Sequence, residues 1–282
     1  MKLGLIAGGG DLPRHVLAAA KEDGHEVSLI ALKGFANPAD LTLANFPAPL
    51  EMGVARYGEM LKAFKKNKVT HICFAGNVKR PDFKRLKPDF KGFLNMPGAV
   101  MAAKNGDDAL LRYILGLFEK EGFQIIAPQD ICQSLLLHQG ILGAAPLARA
   151  HKEDAIQACE IATQIGALDI GQGAVVCMGV VLAVEAQEGT DAMLARIAEL
   201  PAEIRGTPPA RKGVLAKMVK PQQELRVDMP TIGPQTVHLA AAAGLAGIVA
   251  EAGRCFVIDK ETVIALADEA GLFIAGLPPA SA

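Results

Sequence analysis

The sequence predicts an α/β fold in two domains, with a parallel sheet in the first domain and an α+β arrangement in the second. Short apolar strands alternate with helices over the first half of the chain. The stretch 129–150 loses that rhythm, and the second half mixes hairpin patterns with helices. Because continuous apolar strands between helices are typical of buried parallel sheets, we expect helices on both faces of the first sheet.

The first half predicts a regular succession of strands and helices. The expected strands are 2–7, 26–32, 69–75 and 124–127, and the expected helices are 12–22, 56–66 and 107–121. Asp11 and Asp107 are suited to cap the first and last of these helices. Sheets of this kind bind ligands at the carboxyl ends of their strands, so polar residues that directly follow a strand are the first candidates for a site.

The second half predicts hairpins as well as helices. We expect domains at 1–130 and 151–282, joined by the connection 131–150. Hairpins are expected at 174–186, around Gly179, and at 247–259. The remaining expected elements are helices at 151–166, 190–199, 234–244 and 261–270, and strands at 213–219 and 272–276.

The composition excludes several classes of protein. The net charge of the 282-residue chain is −1, so nothing favours a nucleic-acid partner. The five cysteines are far apart and form no CxxC pattern, which indicates a reducing compartment without disulfides or a zinc site. No apolar run is long enough to span a membrane. We therefore expect a cytoplasmic protein.

Three glycines follow the first strand and precede a helix. Without Cβ atoms, Gly8, Gly9 and Gly10 would let backbone N–H groups approach a phosphate at the helix N-terminus. The dinucleotide fingerprint is only half met, since Pro13 occupies its last position and Lys33 follows the second strand. A phosphate or sugar site is favoured over nicotinamide, and a tight turn without ligand remains an alternative.

A second strand end carries further polar residues. Asn77 follows the strand at 69–75, and Lys79 and Arg80 come directly after it. Because parallel strands end at the same edge of a sheet, we expect these side chains on the same rim as the glycine loop. The basic run 79–87 either faces water or approaches an anionic ligand or an anionic membrane surface.

The second half carries a dense set of polar residues. A glycine turn holds Gln172, and a rigid loop bounded by prolines spans 217–231. Glu185, Glu188 and Asp191 lie at the start of a helix, where they would either cap it or hold a cation. Hard cations such as Mg²⁺ prefer carboxylate and phosphate oxygens, so we expect a magnesium and phosphate site. Its candidate residues in this half are Gln172, Glu188, Thr190, Asp191, Lys217, Lys220, Gln223, Arg226, Asp228 and Thr231.

No serine or cysteine nucleophile is recognisable from its spacing. The chain has no G-x-S-x-G pattern and no histidine cluster with zinc-ligand spacing. If the protein is a hydrolase, we expect an activated water as the nucleophile.

Several of these stretches occur in the same order in one known family. LGLIAGGGDLP, CFAGNVKRPDF, KNGDDALLR, LDIGQGAVV, VLAVEAQEGTDAML and KPQQELRVDMPTIG together resemble the LpxI-type UDP-2,3-diacylglucosamine pyrophosphatases of lipid A biosynthesis. The resemblance covers about residues 2–276. It implies a Rossmann-like N-terminal domain, a distinct C-terminal domain, and Mg²⁺-dependent hydrolysis to UMP and 2,3-diacylglucosamine 1-phosphate (lipid X), with the ligand held between the domains.

The resemblance also implies roles for individual residues. The essential aspartate of the family corresponds to Asp228, as a metal ligand or as the residue that orients water. With it, we expect Glu188 and Asp191 at the metal, and Lys217, Lys220 and Arg226 on phosphate charge. The predicted substrate-binding residues are Gly8, Gly9, Gly10, Asn77, Lys79, Gln172, Thr190, Lys220, Gln223 and Thr231.

Partners and competing functions complete the expectations. A lipid substrate implies peripheral contact with the cytoplasmic face of the inner membrane, and the Ala-rich stretch 238–246 leaves a homodimer open. A sensor that binds a nucleotide sugar or lipid without turnover remains an alternative. A nicotinamide-dependent oxidoreductase is the less favoured one.

Overall fold

The chain forms two compact units. The computed structural model describes residues 1–42, 47–208 and 210–279. The first unit comprises 1–133 together with 224–228, and the second comprises 134–223 and the chain from 229 onward. The segment 224–228 lies in the C-terminal half of the sequence but packs with the first unit. The sequence pattern places it in the second domain. Over the described ranges, no helix is long and apolar enough to cross a membrane.

The first unit alternates strands and helices as the sequence predicts. Its strands are β1 Lys2–Ala7, β2 Glu26–Leu32, β3 Leu50–Met52, β4 His71–Ala75 and β5 Gln124–Ile125. Its helices are α1 Leu12–Glu22, α2 Tyr57–Lys66, α3 Phe90–Lys104, α4 Asp107–Lys120 and the short α5 Pro128–Ile131, with 3-10 turns at Pro38–Leu41 and Phe83–Arg85.

These strands form an all-parallel sheet in the order β3-β2-β1-β4-β5. The expected parallel α/β fold is therefore confirmed. β1 lies at the centre, with β2 on one side and β4 on the other, so the chain reverses its winding direction at β1. Ligands bind in α/β sheets at such a point, outside the carboxyl ends of the strands. A buried aliphatic and aromatic core that includes Ile30, Phe64 and Phe118 covers the sheet.

The helix α3 is not predicted by the sequence pattern. It contains Gly92, Pro97 and Gly98, which each weaken a helix prediction. The helix forms nonetheless because Asp89 caps it, accepting a hydrogen bond from Gly92 N at 2.8 Å. The sequence analysis also missed β3, a strand of three residues.

The second unit holds the remaining elements. Its strands are β6 Gly140–Leu142, β7 Gly173–Cys177, β8 Val180–Val184, β9 Val214–Lys217, β10 Thr231–Ile232, β11 Gly247–Glu251, β12 Phe256–Val257 and β13 Phe273–Leu277. Its helices are α6 Lys152–Ala167, α7 Gly189–Ala198, α8 Pro234–Ala242 and α9 Lys260–Ala270, with 3-10 turns at Gln133–Leu135 and Arg149–His151.

The main sheet of the second unit is mixed, in the order β6-β13-β11-β9-β7-β8. β9, β11 and β13 run parallel, whereas β6, β7 and β8 are attached by antiparallel pairing. The hairpin expected around Gly179 is confirmed as β7 and β8. Successive residues of a strand point to opposite faces of the sheet, and each face has its own core. Leu215 lies in the core with α7, α8 and α9, whereas Ala216 lies in the core with α6.

The second expected hairpin, at 247–259, is wrong. β11 pairs in parallel with β9 and β13, and β12 pairs in parallel with β10 in a separate ribbon. Both segments are fully buried and, apart from Glu251, carry no polar side chain, so their pattern does not distinguish a hairpin from two separate strands.

Candidate active site

The glycine loop and the end of β4 are joined by backbone hydrogen bonds in the first unit. Gly8 N donates to Ala75 O, Gly9 N donates to Asn77 O, and Asn77 N donates to Gly9 O, each at 2.8 Å. A Cβ on Gly8 would lie 2.8 Å from Asn77 O, so glycine is needed there for the close approach of the two loops. The two strand ends therefore form one rigid rim, as expected.

The three glycines differ in the N–H groups that they can offer to a ligand. The N–H groups of Gly8 and Gly9 are hydrogen-bonded within the rim in this structure, so they are not free to donate to a ligand, and their predicted binding role remains a prediction. Gly10 N makes no hydrogen bond within the described residues. The side-chain nitrogen of Asn77 would lie 3.7 Å from a Cβ placed on Gly10. Gly10 N and the Asn77 amide are the donors that this rim can offer.

Two cations follow the rim along the chain. Arg80 donates to Ala103 O and has its guanidinium 3.5 Å from Asp107 Oδ1, so it fastens the chain to the junction of α3 and α4. Lys79 is exposed and forms no ion pair within the described residues. Of the two, Lys79 is therefore the one with its charge available to an anionic group.

The start of α4 presents two carboxylates. The N-cap of α4 is Gly106, at φ 113°, so the expectation that Asp107 is a plain N-cap is wrong. Asp107 Oδ1 is buried and accepts no hydrogen bond within the described residues. Asp108 Oδ1 accepts a hydrogen bond from Glu224 N at 2.7 Å. Asp108 thus docks the segment 224–228 beside Asp107.

Arg226 fixes the segment 224–228 to α4. Its guanidinium donates to both carboxylate oxygens of Glu224, at 2.9 and 2.8 Å, and to Glu119 at 2.7 Å. The hydrogen bond with Glu224 raises the pKa of Arg226, and the reciprocal bond lowers the pKa of Glu224. Bidentate pairing of this kind is geometrically specific. Arg226 is therefore placed to position Asp228, two residues later, and its expected contact with phosphate remains a prediction.

Further contacts place Asp228 within the first unit. Asp228 N donates to Glu224 O at 3.1 Å, and the Asp228 residue is half-buried. Gln129 donates to Leu225 O at 2.9 Å, which leaves its buried side-chain oxygen Oε1 without a hydrogen-bond partner in the described structure. Buried polar atoms are almost always hydrogen-bonded. Gln129 Oε1 accepts no hydrogen bond in the described structure, and Asp107 Oδ1 has its 3.5 Å ion pair with Arg80 but no hydrogen bond, so both oxygens can accept from a further group.

In the second unit, Lys217 is almost completely buried. Only 6% of the residue is exposed, and its Nζ donates to Thr231 O at 2.8 Å. An ammonium group carries three donors, so two remain for other groups. Two of the predicted residues, Lys217 and Thr231, are therefore in contact, and the contact is made with the backbone carbonyl of Thr231.

A glutamine pair organises the adjacent loop. Gln223 Oε1 accepts from Lys220 N at 2.9 Å, and Gln223 Nε2 is 3.5 Å from Gln172 Oε1. Lys220 Nζ forms a 2.7 Å ion pair with Asp169. Gln172, Lys220 and Gln223 are therefore neighbours, as the sequence analysis expected.

Glu185 is one of the three carboxylates that the sequence marks as capping residues or cation ligands, and the structure shows it to be buried. It is 7% exposed, its Oε1 accepts from Thr190 Oγ1 at 3.0 Å, and its Oε2 accepts no hydrogen bond within the described residues. A Cβ on Gly173 would lie 2.6 Å from Oε2, so the carboxylate covers Gly173. Gly173 is the strand partner of Lys217, and partners across antiparallel strands face the same side. The buried carboxylate and the buried ammonium thus share one face without an ion pair between them in the described structure.

Glu188 and Asp191 lie at the start of α7 and are exposed. Glu188 is paired with Arg196 at 2.9 Å, and as the N-cap residue of α7 it forms no side-chain cap hydrogen bond. Across the described ranges, no group of three or more His, Cys, Asp and Glu residues is arranged to hold a metal ion. The assignment of these two carboxylates to magnesium remains a prediction.

The cysteines are unsuited to nucleophilic chemistry. All five are free, and burial raises the pKa of the Cys132, Cys159 and Cys255 thiols to about 12. A thiol must ionise to act as a nucleophile, so these three are inert near neutral pH.

A cleft of about 600 Å³ lies away from these residues. Its lining includes Lys65, His71, Glu121 and Gln124, from the amino ends of β4 and β5 and the chain before them. Sheets of this class carry their ligands at the opposite edge, so we do not place the site there.

Two domain models of one family together match almost the whole chain. Residues 2–135 match the LpxI N-terminal domain, and residues 138–275 match the LpxI C-terminal domain. The chain belongs to the LpxI family. A curated relative from Caulobacter vibrioides, the UDP-2,3-diacylglucosamine pyrophosphatase LpxI, is 51% identical over 278 residues, which cover 99% of this chain and 98% of the relative. The LpxI domain boundary falls within a few residues of the boundary at 133 between the two units.

Proposed function

We propose that the chain hydrolyses the pyrophosphate of UDP-2,3-diacylglucosamine to UMP and 2,3-diacylglucosamine 1-phosphate in lipid A biosynthesis. Identity to the Caulobacter pyrophosphatase over nearly the whole chain supports the substrate. The observation that supports the site is the hydrogen bond from Glu224 N to Asp108, which anchors 224–228 next to the buried Asp107 Oδ1. Asp228, which corresponds by resemblance to the family's essential aspartate, belongs to this anchored segment, and this supports its proposed role.

We also propose that the reaction depends on Mg²⁺. Magnesium binds few carboxylates, keeps several waters and takes its other ligands from substrate phosphates, so the oxygens of a small donor set suffice. The carboxylates of Asp107 and Asp228 and the side-chain oxygen of Gln129 have the required chemistry, and neither Asp107 Oδ1, which is ion-paired with Arg80, nor Gln129 Oε1 accepts a hydrogen bond within the described residues. We therefore favour these three residues over Glu188 and Asp191 as the ones that would hold it. When bound, the ion would offset phosphate charge and polarise phosphorus.

The remaining residues of the first unit hold the reacting groups. Asp228 acts at the pyrophosphate, either on the metal or by orienting the attacking water. Arg226 and Glu224 keep its segment in place. Gly10 N and Asn77 offer donors to phosphate or ribose oxygens at the start of α1, where the helix dipole favours an anion.

The second unit supplies a separate polar cluster. Lys217 and Lys220 are suited to phosphate oxygens, and Glu185 Oε2 is suited to accept from a hydroxyl or amide N–H of the sugar. Fixed donors and cations stabilise developing charge most strongly in such a buried setting. These assignments rest on burial and on unused hydrogen-bonding capacity.

Identification of the products tests this proposal. The purified chain is incubated with UDP-2,3-diacylglucosamine and Mg²⁺, and the products are separated and weighed by mass spectrometry. We expect UMP and the monophosphorylated lipid in equal amounts. Ligand binding without products would overturn the hydrolase and favour the sensor. A parallel titration with NAD(H) and NADP(H) is expected to give no binding, and binding would favour the oxidoreductase.

A further inference from the structure

The helix α3 exposes its largest apolar side chains. Phe90, Phe93, Leu94 and Met101 are 77%, 67%, 60% and 71% exposed. With Pro97, which is also exposed, they follow the spacing i, i+3, i+4, i+7 and i+11, which lies along one face of a helix. Contiguous exposed apolar side chains of this size mark a binding surface in soluble domains.

The opposite face of α3 carries small residues toward the protein. Side chains at Gly92 and Gly98 would collide with Ala55 O and with the ring of Tyr113, and Ala103 is buried. A surface helix ordinarily buries its large apolar residues and exposes polar ones. α3 has the reverse arrangement, so its outward face is built to be covered.

The chain around this face is strongly basic. Residues 79–104 contain seven Lys and Arg but only two acidic residues, Asp82 and Asp89, in a chain of net charge −1. Both aspartates are used as helix caps. Within the described residues, four of the lysines are exposed and form no ion pair, namely Lys79, Lys84, Lys87 and Lys104.

We propose that α3 and the basic segment before it, 79–89, dock on the surface of an anionic lipid bilayer. Phenylalanine and leucine would enter the boundary between headgroups and acyl chains, and the lysines would meet the anionic headgroups. The charge favours this occupant over a second copy of the chain, because two such segments in contact would bring together two surfaces that each carry an excess of five cations over carboxylates. The helix lies on the bilayer and does not span it.

A tryptophan placed on α3 tests the docking directly. The chain contains no Trp, so Phe93→Trp carries a single reporter without background. We expect a blue shift of its emission, and quenching by brominated lipids, with phosphatidylglycerol vesicles. Ile156→Trp, at a 59% exposed site on α6, is the matched control and is expected to remain unshifted. Neither measurement needs substrate, so the result is independent of the pyrophosphatase activity.

Vesicle flotation measures separately how much the lysines and the apolar face of α3 contribute to membrane binding. Lys84→Glu with Lys87→Glu should weaken binding to anionic vesicles by about tenfold or more. The control pair, Lys62→Glu with Lys152→Glu, reverses two exposed lysines elsewhere and should leave binding unchanged. Phe93→Ser should also weaken it. Equal emission shifts in both Trp variants, or a dimer in the ultracentrifuge that Phe93→Ser dissociates, would overturn the proposal.

Discussion

At the scale of single residues, the unbonded carboxylate oxygen of Glu185 has the clearest consequence. Glu185→Gln keeps the shape of the side chain but replaces one carboxylate oxygen, a hydrogen-bond acceptor, with an amide NH₂ group, a donor. If Oε2 accepts from the substrate, KM should rise by about tenfold, since an unsatisfied buried group costs about 1–3 kcal/mol. Steady-state kinetics of Glu185→Gln and of Glu160→Gln, an exposed glutamate on α6, provide the comparison. Identical KM values in both would show that Oε2 meets no substrate group.

Arg226 is a second residue whose role can be separated. If it positions Asp228, Arg226→Lys should lower kcat by about tenfold or more with little change in KM, because lysine cannot form the bidentate pair with Glu224. Glu224→Gln should then have the same effect. Arg56→Lys, which alters an Arg–Glu pair on α2, is the control. If Glu224→Gln left kcat intact while Arg226→Lys reduced it, Arg226 would act on the substrate itself.

At the scale of elements, the cap of α3 makes a pH-dependent prediction. Burial alone would raise the pKa of Asp89, but hydrogen bonds from the N–H groups of Gly92, Glu59 and Gly58 lower it overall. Because the pKa of Asp89 is lower in the folded protein than in the unfolded chain, its ionised form stabilises the fold at every pH above the unfolded-state pKa. This stabilisation is lost as the pH falls through the folded-state pKa. Asp89→Ala should therefore cost about 1–2 kcal/mol near neutral pH.

Urea unfolding at several pH values measures that cost. The difference between wild type and Asp89→Ala should be constant above about pH 5 and should shrink as the solution becomes more acidic. Asp82→Ala, which removes the cap of a short 3-10 turn, should cost less. A difference that grew on acidification would contradict the assigned sign.

The elements also show where sequence patterns suffice. β1, α1 and β2 were predicted correctly because a buried strand, a Gly turn and an amphipathic helix each leave a periodic signal. α3 was missed because its glycines serve close packing against Ala55 and Tyr113, which no local pattern reveals. The false hairpin at 247–259 arose because parallel and antiparallel pairing are indistinguishable in two fully buried strands.

At the scale of the whole molecule, the division of the chain explains which site residues could be predicted. The polar loop 217–231 looks like one cluster in the sequence, yet Lys217 and Gln223 belong to the second unit while Arg226 and Asp228 belong to the first. The family resemblance predicts Asp228 as a site residue, whereas the contacts of its segment with Gln129 and with Asp108, next to Asp107, are visible only in the structure. The unsatisfied oxygens of Asp107 and Gln129 depend on tertiary burial, which spacing cannot encode.

The central claim is a magnesium-dependent hydrolysis that requires Asp228. The most direct test is UMP release from UDP-2,3-diacylglucosamine as Mg²⁺ is titrated and then removed with EDTA, for wild type, Asp228→Asn and the exposed control Asp40→Asn. We predict release that needs Mg²⁺, falls by about a hundredfold or more in Asp228→Asn, and is unchanged in Asp40→Asn. Release that persists in EDTA and in Asp228→Asn would contradict the account.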